Sequence, residues 1–189
     1  DTMHLTQSSF DSLVGAIDEA QYYEIVEFLG RGAYGQTFLV VDKRTQKEVA
    51  YKIIDASTVS NKFSAKREIT ALKNLTGTEC NQYLACYYDD FETIYQGKLS
   101  HVIVSEYIQG STLDDYITTN TTAPTKNTVL YIIYELIQGL KYIHDQNYAH
   151  RDIKPQNIMI TTSHNIKYID FGLACRQKHH TNSHSNSHS

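Results

Sequence analysis

The feature that most constrains this fold is a glycine-rich turn, Gly30-Arg31-Gly32-Ala33-Tyr34-Gly35, set between two strand-like runs. Glycines let a backbone bend sharply and approach phosphate oxygens, which main-chain N–H groups can then hold. In a dinucleotide-binding unit such a turn leads into a helix. Here it leads into Thr37, Phe38, Leu39, Val40 and Val41, a β-branched and apolar run that reads as a strand. The Walker pattern fails as well, because no Gly-Lys-Ser/Thr closes the turn. Residues 22–29 read as a strand before the turn, and residues 49–54 as a third strand after a polar turn at 42–46. The chain therefore opens as an antiparallel sheet. Taken alone, the glycine turn is equally an ordinary hairpin connection.

Residues 62–75 place Phe63, Ile69, Leu72 and Leu75 at helical spacing. Strand-like runs follow at 83–91 and 99–107, then a break at Gln109, Gly110 and Ser111. Residues 118–128, rich in Thr and Asn and holding Pro124, read as a loop. The strongest helical pattern spans 127–145. There Val129, Ile132, Ile133, Leu136, Leu140 and Ile143 recur every three to four residues, and Tyr131, Tyr134 and Ile137 widen the stripe. More than one face of that helix calls for burial. Short strands are expected at 158–161 and 166–169. Residues 1–20 carry an amphipathic pattern in Phe10, Leu13, Val14 and Ile17. Residues 178–189 are His, Ser, Asn and Thr apart from Lys178, a composition that cannot bury a core and predicts disorder.

Composition bounds the partners. Hydrophobic residues make up 41% and charged residues 20%, as in an ordinary globular domain. A net charge of −4 offers no basic field for nucleic acid or an anionic membrane. No run approaches the ~18 apolar residues of a membrane span, and no secretory signal opens the chain. The three cysteines, Cys80, Cys86 and Cys175, are sparse and odd in number. They are read as unpaired thiols in a reducing compartment rather than as disulfides or zinc ligands. The expectation is a cytoplasmic protein without nucleic-acid or membrane partners.

Candidate chemistry begins at Lys52, on the third strand beside the glycine turn. An ammonium there can neutralise a bound polyphosphate, although a lone lysine is more often a solvated edge residue. Glu68 lies mid-helix, where a carboxylate can pair with Lys52 and aim it; a same-helix lysine is its alternative partner. The stretch His150-Arg151-Asp152-Ile153-Lys154-Pro155-Gln156-Asn157 is decisive. It combines a carboxylate able to accept a hydroxyl proton, a lysine suited to a transferred phosphate, and an amide suited to a metal ion. His, Asp, Lys and Asn at this set spacing arise by chance about once in 10⁵ positions. Asp170-Phe171-Gly172 adds a second carboxylate, at a strand end, suited to Mg²⁺.

This order of glycine loop, strand lysine, helix glutamate, His-Arg-Asp loop and Asp-Phe-Gly resembles the eukaryotic protein kinase family over residues 22–176. Lys154 followed by Pro155 resembles its serine/threonine branch. The resemblance implies an α+β, two-lobe fold: a β-rich N-lobe at 22–105, a hinge at 106–110 and a partial helical C-lobe at 111–176, after an N-terminal extension at 1–21 and before a tail at 177–189. It implies ATP and Mg²⁺ as cofactors and a protein Ser/Thr hydroxyl as substrate. Gly30, Gly32 and Gly35 would cover the phosphates. Lys52, paired with Glu68, would hold the α- and β-phosphates. Asp152 would be the catalytic base, Lys154 would contact the γ-phosphate, and Asn157 and Asp170 would hold Mg²⁺. Glu106, Tyr107 and Ile108 resemble the adenine-pairing hinge, with Leu29, Ala50 and Met159 sandwiching the ring and a small Ser105 behind it.

Two departures qualify the resemblance. Thr37 stands where the family usually has valine over the adenine. After Leu173-Ala174-Cys175-Arg176 the sequence runs into its His/Ser tail, with no activation segment or Ala-Pro-Glu motif. The apolar helix at 127–145 is therefore expected to lack a partner, which favours self-association through the exposed C-lobe surface. A nucleotide-binding pseudoenzyme or kinase fragment is the alternative reading.

Overall fold

The structure, a computed structural model, describes residues 19–32 and 35–177. The helical pattern expected before residue 19 and the disorder expected from 178 onward lie outside the described residues. The first half is one antiparallel sheet. Its strands β1 (Tyr23–Arg31), β2 (Gly35–Asp42), β3 (Lys47–Asp55), β4 (Tyr87–Tyr95) and β5 (Lys98–Glu106) stand in the order β1-β2-β3-β5-β4. Helix α1 (Val59–Thr76) connects β3 to β4. Thr58 caps it, its side chain accepting from the Asn61 N–H, which satisfies one of the orphan donors of the first turn.

The period-two alternation of β3 divides the sheet's two faces. Val49, Tyr51 and Ile53 join Phe38, Val40, Phe91, Val102 and Val104 in a core on one side. Tyr23 of β1 closes it, its ring stacked 5.7 Å from that of Phe91. On the other side Ile54 and Ile103 meet Ala65, Ile69 and Leu72 of α1. That second core runs on without a break through Leu113, Ile132, Ile143, Ile158, Ile166, Tyr168 and Phe171. The two halves of the chain thus share one apolar interior. Main-chain bonds reinforce the joint: the Ala85 N–H donates to the Tyr168 carbonyl at 3.0 Å, and the Tyr168 N–H to the Tyr83 carbonyl at 2.8 Å.

The second half comprises β6 (Ser111–Thr112), α2 (Leu113–Thr119), α3 (Lys126–Asp145), β7 (Tyr148–Ala149), a 3₁₀ turn (Pro155–Asn157), β8 (Ile158–Ile160), β9 (Ile166–Tyr168) and β10 (Cys175–Arg176). β8 lies between β6 and β9, and β10 pairs with β7. α3 packs through Ile132, Gly139 and Ile143. Gly139 permits the approach, since a Cβ there would lie 2.7 Å from the Tyr168 ring and 2.9 Å from the Tyr83 side chain. The rest of its apolar stripe stays in solvent: Val129, Leu130, Tyr131, Ile133, Tyr134 and Ile137 are 39–57% exposed. Among the described residues no helix is long and apolar enough to cross a membrane.

The architecture is the α+β arrangement expected, a β-rich N-terminal lobe followed by helices. Three local readings are corrected. The loop read at 118–128 is shorter: 118–119 close the helix Leu113–Thr119, which Thr112 caps by accepting from the Asp115 N–H, and 126–128 open α3. The strand read at 83–91 begins at Tyr87, because Tyr83, Leu84 and Ala85 pair across the lobe boundary with Tyr168 instead. Cys80 and Cys86 are not free thiols: they form a disulfide across the α1–β4 connection, their Cα atoms 5.2 Å apart. Cys175 is free.

Candidate active site

The candidate site lies where β3 and α1 meet the 150–172 segment and bring Lys52, Glu68 and Asp170 together. Lys52 alternates with Val49, Tyr51 and Ile53 on β3, so its side chain leaves the sheet away from the aromatic core. Its Nζ lies 2.7 Å from Glu68 Oε1 and 3.7 Å from Asp170 Oδ2. Glu68 is buried on the inner face of α1. Burial alone would lower the Lys52 pKa, but the carboxylates of Glu68 and then Asp170 outweigh it and hold the ammonium above its ordinary value. The same burial pushes the Glu68 carboxyl up against the pull of Lys52.

The 150–157 loop is tied to itself. Asn157, buried, donates through Nδ2 to the Asp152 carbonyl and to Asp152 Oδ2, each at 2.9 Å. Lys154 Nζ stands 3.4 Å from the same Oδ2. The Asn157 amide nitrogen is committed in this way, which leaves its oxygen as the end available to a cation. His150 is buried beneath the loop, its ring 5.3 Å from that of Phe171 and 5.6 Å from that of Tyr168. Its Nδ1 accepts from the Asp152 N–H at 3.2 Å. Burial lowers the His150 pKa in spite of the nearby carboxylates of Asp170 and Asp152, which favours the neutral ring that this bond needs. Arg151 adopts a left-handed φ of 65° and donates from Nε to the Leu173 carbonyl at 2.8 Å. Asp170 Oδ1 accepts from the Gly172 N–H at 2.9 Å.

The other residues expected at the site fall on or next to the neighbouring strands. Thr37 pairs with Gly30 on one side and with Lys52 on the other, and Ala50 pairs with Ser105. Leu29 is 41% exposed at the end of β1. Ile108 is buried just past β5. Met159 sits on β8 between Thr112 and Lys167. The three glycines differ. A Cβ on Gly35 would come within 2.2 Å of the Ile53 carbonyl oxygen, so the sheet itself requires glycine there. A Cβ on Gly30 or Gly32 would meet nothing within 4 Å. The Glu106 side chain is already engaged: Oε2 accepts from Lys167 Nζ at 2.8 Å and from the Cys86 N–H at 3.2 Å.

Two arginine and lysine contacts were not foreseen from the sequence. Arg67 of α1 donates from Nε and Nη2 to the Gly172 carbonyl, at 3.1 and 2.8 Å. Lys167 bridges β9 to the end of β5 through Glu106. These partners lie 105 and 61 residues apart in sequence. The adjacency of Arg67 to Glu68 was the available signal for the first contact.

Comparison with known proteins identifies the family. The family model described as "Protein kinase domain" matches residues 23–189. Maternal embryonic leucine zipper kinase of Danio rerio is 35% identical over 159 residues, 84% of this chain and 22% of the relative. Serine/threonine-protein kinase chk-1 of Caenorhabditis briggsae is 34% identical over 153 residues, 80% of this chain and 30% of the relative. Mitogen-activated protein kinase 13 of Arabidopsis thaliana is 32% identical, over 82% of this chain and 42% of the relative. The chain spans less than half the length of these curated relatives. The matched model covers most of the chain, and the chain belongs to the protein kinase domain family.

Proposed function

We propose that this chain binds ATP with Mg²⁺ in the inter-lobe cleft and transfers the γ-phosphoryl group to a serine or threonine hydroxyl of a protein. The observation that carries the proposal is the charge arrangement around Lys52. Two ammonium groups, Lys52 and Lys154, face three carboxylates, Glu68, Asp152 and Asp170. The site is short of one positive charge, which suits a divalent cation. Asp170 and Asn157 are the oxygen donors that would hold it, and Mg²⁺ commonly takes one or two protein ligands together with phosphate oxygens and water. When bound, the metal supplies neutralisation of phosphate charge. The rest of the chemistry falls to the chain's own groups. Lys52, aimed by Glu68, offers a fixed positive charge to the phosphates. Asp152 has Oδ2 fixed by Asn157 and Lys154, which leaves Oδ1 to take the proton of the incoming hydroxyl. The mechanism is positioning together with preorganised charge.

The test is transfer of labelled γ-phosphate to a generic protein substrate by the wild type and by Asp152→Asn. The expected result is Mg²⁺-dependent labelling of Ser or Thr, reduced about 10²–10⁴-fold in the variant, as for loss of a general base. Nucleotide binding without any transfer by the wild type would favour the binding-only reading instead. The exposed stripe on α3 supports a further proposal on partners, that this chain self-associates; light scattering showing a monodisperse monomer would contradict it. No nucleic-acid or membrane partner is proposed, given the net charge of −4. A cytoplasmic location is proposed on the sparse cysteines, whereas the Cys80–Cys86 bond favours an oxidising one. Thiol counting on protein alkylated in cells separates the two.

A further inference from the structure

Arg67 and Glu68 are consecutive on α1, yet they serve different ends of the cleft. Glu68 reaches Lys52 at 2.7 Å. Arg67 turns to the Asp170–Gly172 turn and places two donors on one carbonyl, that of Gly172. The N–H of Gly172 in turn donates to Asp170 Oδ1 at 2.9 Å, while Asp170 Oδ2 faces Lys52 at 3.7 Å. The orientation of the Asp170 carboxylate is therefore set at both oxygens, and one of the two restraints is only as firm as the position of Gly172. From the opposite lobe Arg151 holds the next carbonyl, that of Leu173, at 2.8 Å. Two guanidinium groups, one from each half of the molecule, thus grip consecutive peptide units directly after Asp170. Hydrogen bonds from a charged donor are of the stronger class.

We propose that Arg67 is a positioning residue for the Asp170 carboxylate: it latches the Gly172 peptide to α1 and thereby holds the N–H from which Asp170 Oδ1 accepts. The inference rests on the Mg-nucleotide reading given above, and it deepens that reading by naming what holds the cation's ligand in place. The hydrogen bonds of Arg67 go to the Gly172 carbonyl and not to the Asp170 carboxylate. Loss of Arg67 should weaken binding that depends on the metal and leave adenosine binding alone. A residue that merely stabilised α1 would act through the Lys52–Glu68 pair and weaken ADP binding equally with and without Mg²⁺.

Calorimetric titration of the chain with adenosine, and with ADP in the presence and absence of Mg²⁺, tests this. Arg67→Met keeps much of the apolar stem and removes the donors. The expected result is an Mg-ADP affinity lowered about tenfold, the range found for groups that orient metal ligands. Adenosine affinity should be unchanged, and Arg67→Lys, which keeps a charged donor, should recover part of the loss. Arg67→Gln provides a second neutral variant should the methionine form fail to fold. Equal Mg-ADP affinity in wild type and variants overturns the latch, as does a loss of ADP affinity that is the same with and without Mg²⁺, or a parallel loss of adenosine binding. A wild-type chain that binds adenosine but gains nothing from Mg²⁺ and phosphates overturns the phosphoryl-transfer reading itself, and the latch with it.

Discussion

In the floor of the cleft the functional groups already hold one another. Asp152 is bonded to Asn157 and faces Lys154, Asp170 is bonded to the Gly172 N–H and faces Lys52, and His150 supports the loop from below. In the roof the glycine turn is bare: Gly30 and Gly32 have open space where a side chain would be, and only Gly35 is pressed against its neighbour. The floor is therefore organised by the fold before any ligand arrives. At Gly30 and Gly32 the described residues leave room for a side chain, so under the proposed function any need for glycine there would come from a bound phosphate. Backbone without side chains can come close to a phosphate.

The largest effect that would sharpen this contrast lies within the turn itself. Gly35→Ala should lower stability by about 1–3 kcal/mol, the usual cost of forcing a methyl into filled space. Gly32→Ala should leave stability within about 0.5 kcal/mol, as for surface positions away from special features. The same Gly32 variant should still bind Mg-ATP more weakly than wild type. Urea denaturation and nucleotide titration of the pair provide the check. A Gly32 variant with wild-type affinity would break the contrast, because the roof would then be an ordinary hairpin.

A smaller effect comes from the floor. His150 is held neutral by burial, with a pKa below its unfolded value. The unfolded chain takes up this proton first, so the unfolded state binds more protons in the window below about pH 6.5. The stabilisation is complete above that pH and declines as pH falls through it. His101, buried on β5, has its pKa lowered in the same way and adds to the trend. The slope should reach at most about 1.4 kcal/mol per pH unit for each histidine. Denaturation midpoints measured from pH 7.5 to 5 should fall, and His150→Phe should flatten the curve. A flat wild-type curve would show that the ring is not buried neutral.

The same contrast explains what was legible in the sequence. Strands β1–β3 and helices α1 and α3 announce themselves through local periodicity, and the lysine, glutamate and aspartate groups stand at recognisable spacings. The short helix at 113–119 was partly hidden because Thr118 and Thr119 suit turns as well as helix ends. Tyr83 to Ala85 read as strand, yet their partner is Tyr168, more than eighty residues away. The contacts of Arg67 with Gly172 and of Lys167 with Glu106 leave no local pattern, since each depends on how the lobes meet. The Cys80–Cys86 bond was misjudged because counting cysteines over the whole chain hides a pair six residues apart.

The central claim is that the charges of this cleft are set for a metal-bound polyphosphate, and Lys52 tests it most directly. Calorimetric titration with ATP, with and without Mg²⁺, should be carried out on the wild type and on Lys52→Met, with adenosine as the control for an intact pocket. The account predicts that the wild type binds ATP more tightly with Mg²⁺, and that Lys52→Met weakens this binding about tenfold or more, as expected for a lost charge-assisted contact. Adenosine affinity should be the same in both proteins. Equal ATP affinity in the two proteins, with adenosine still bound, would contradict the account.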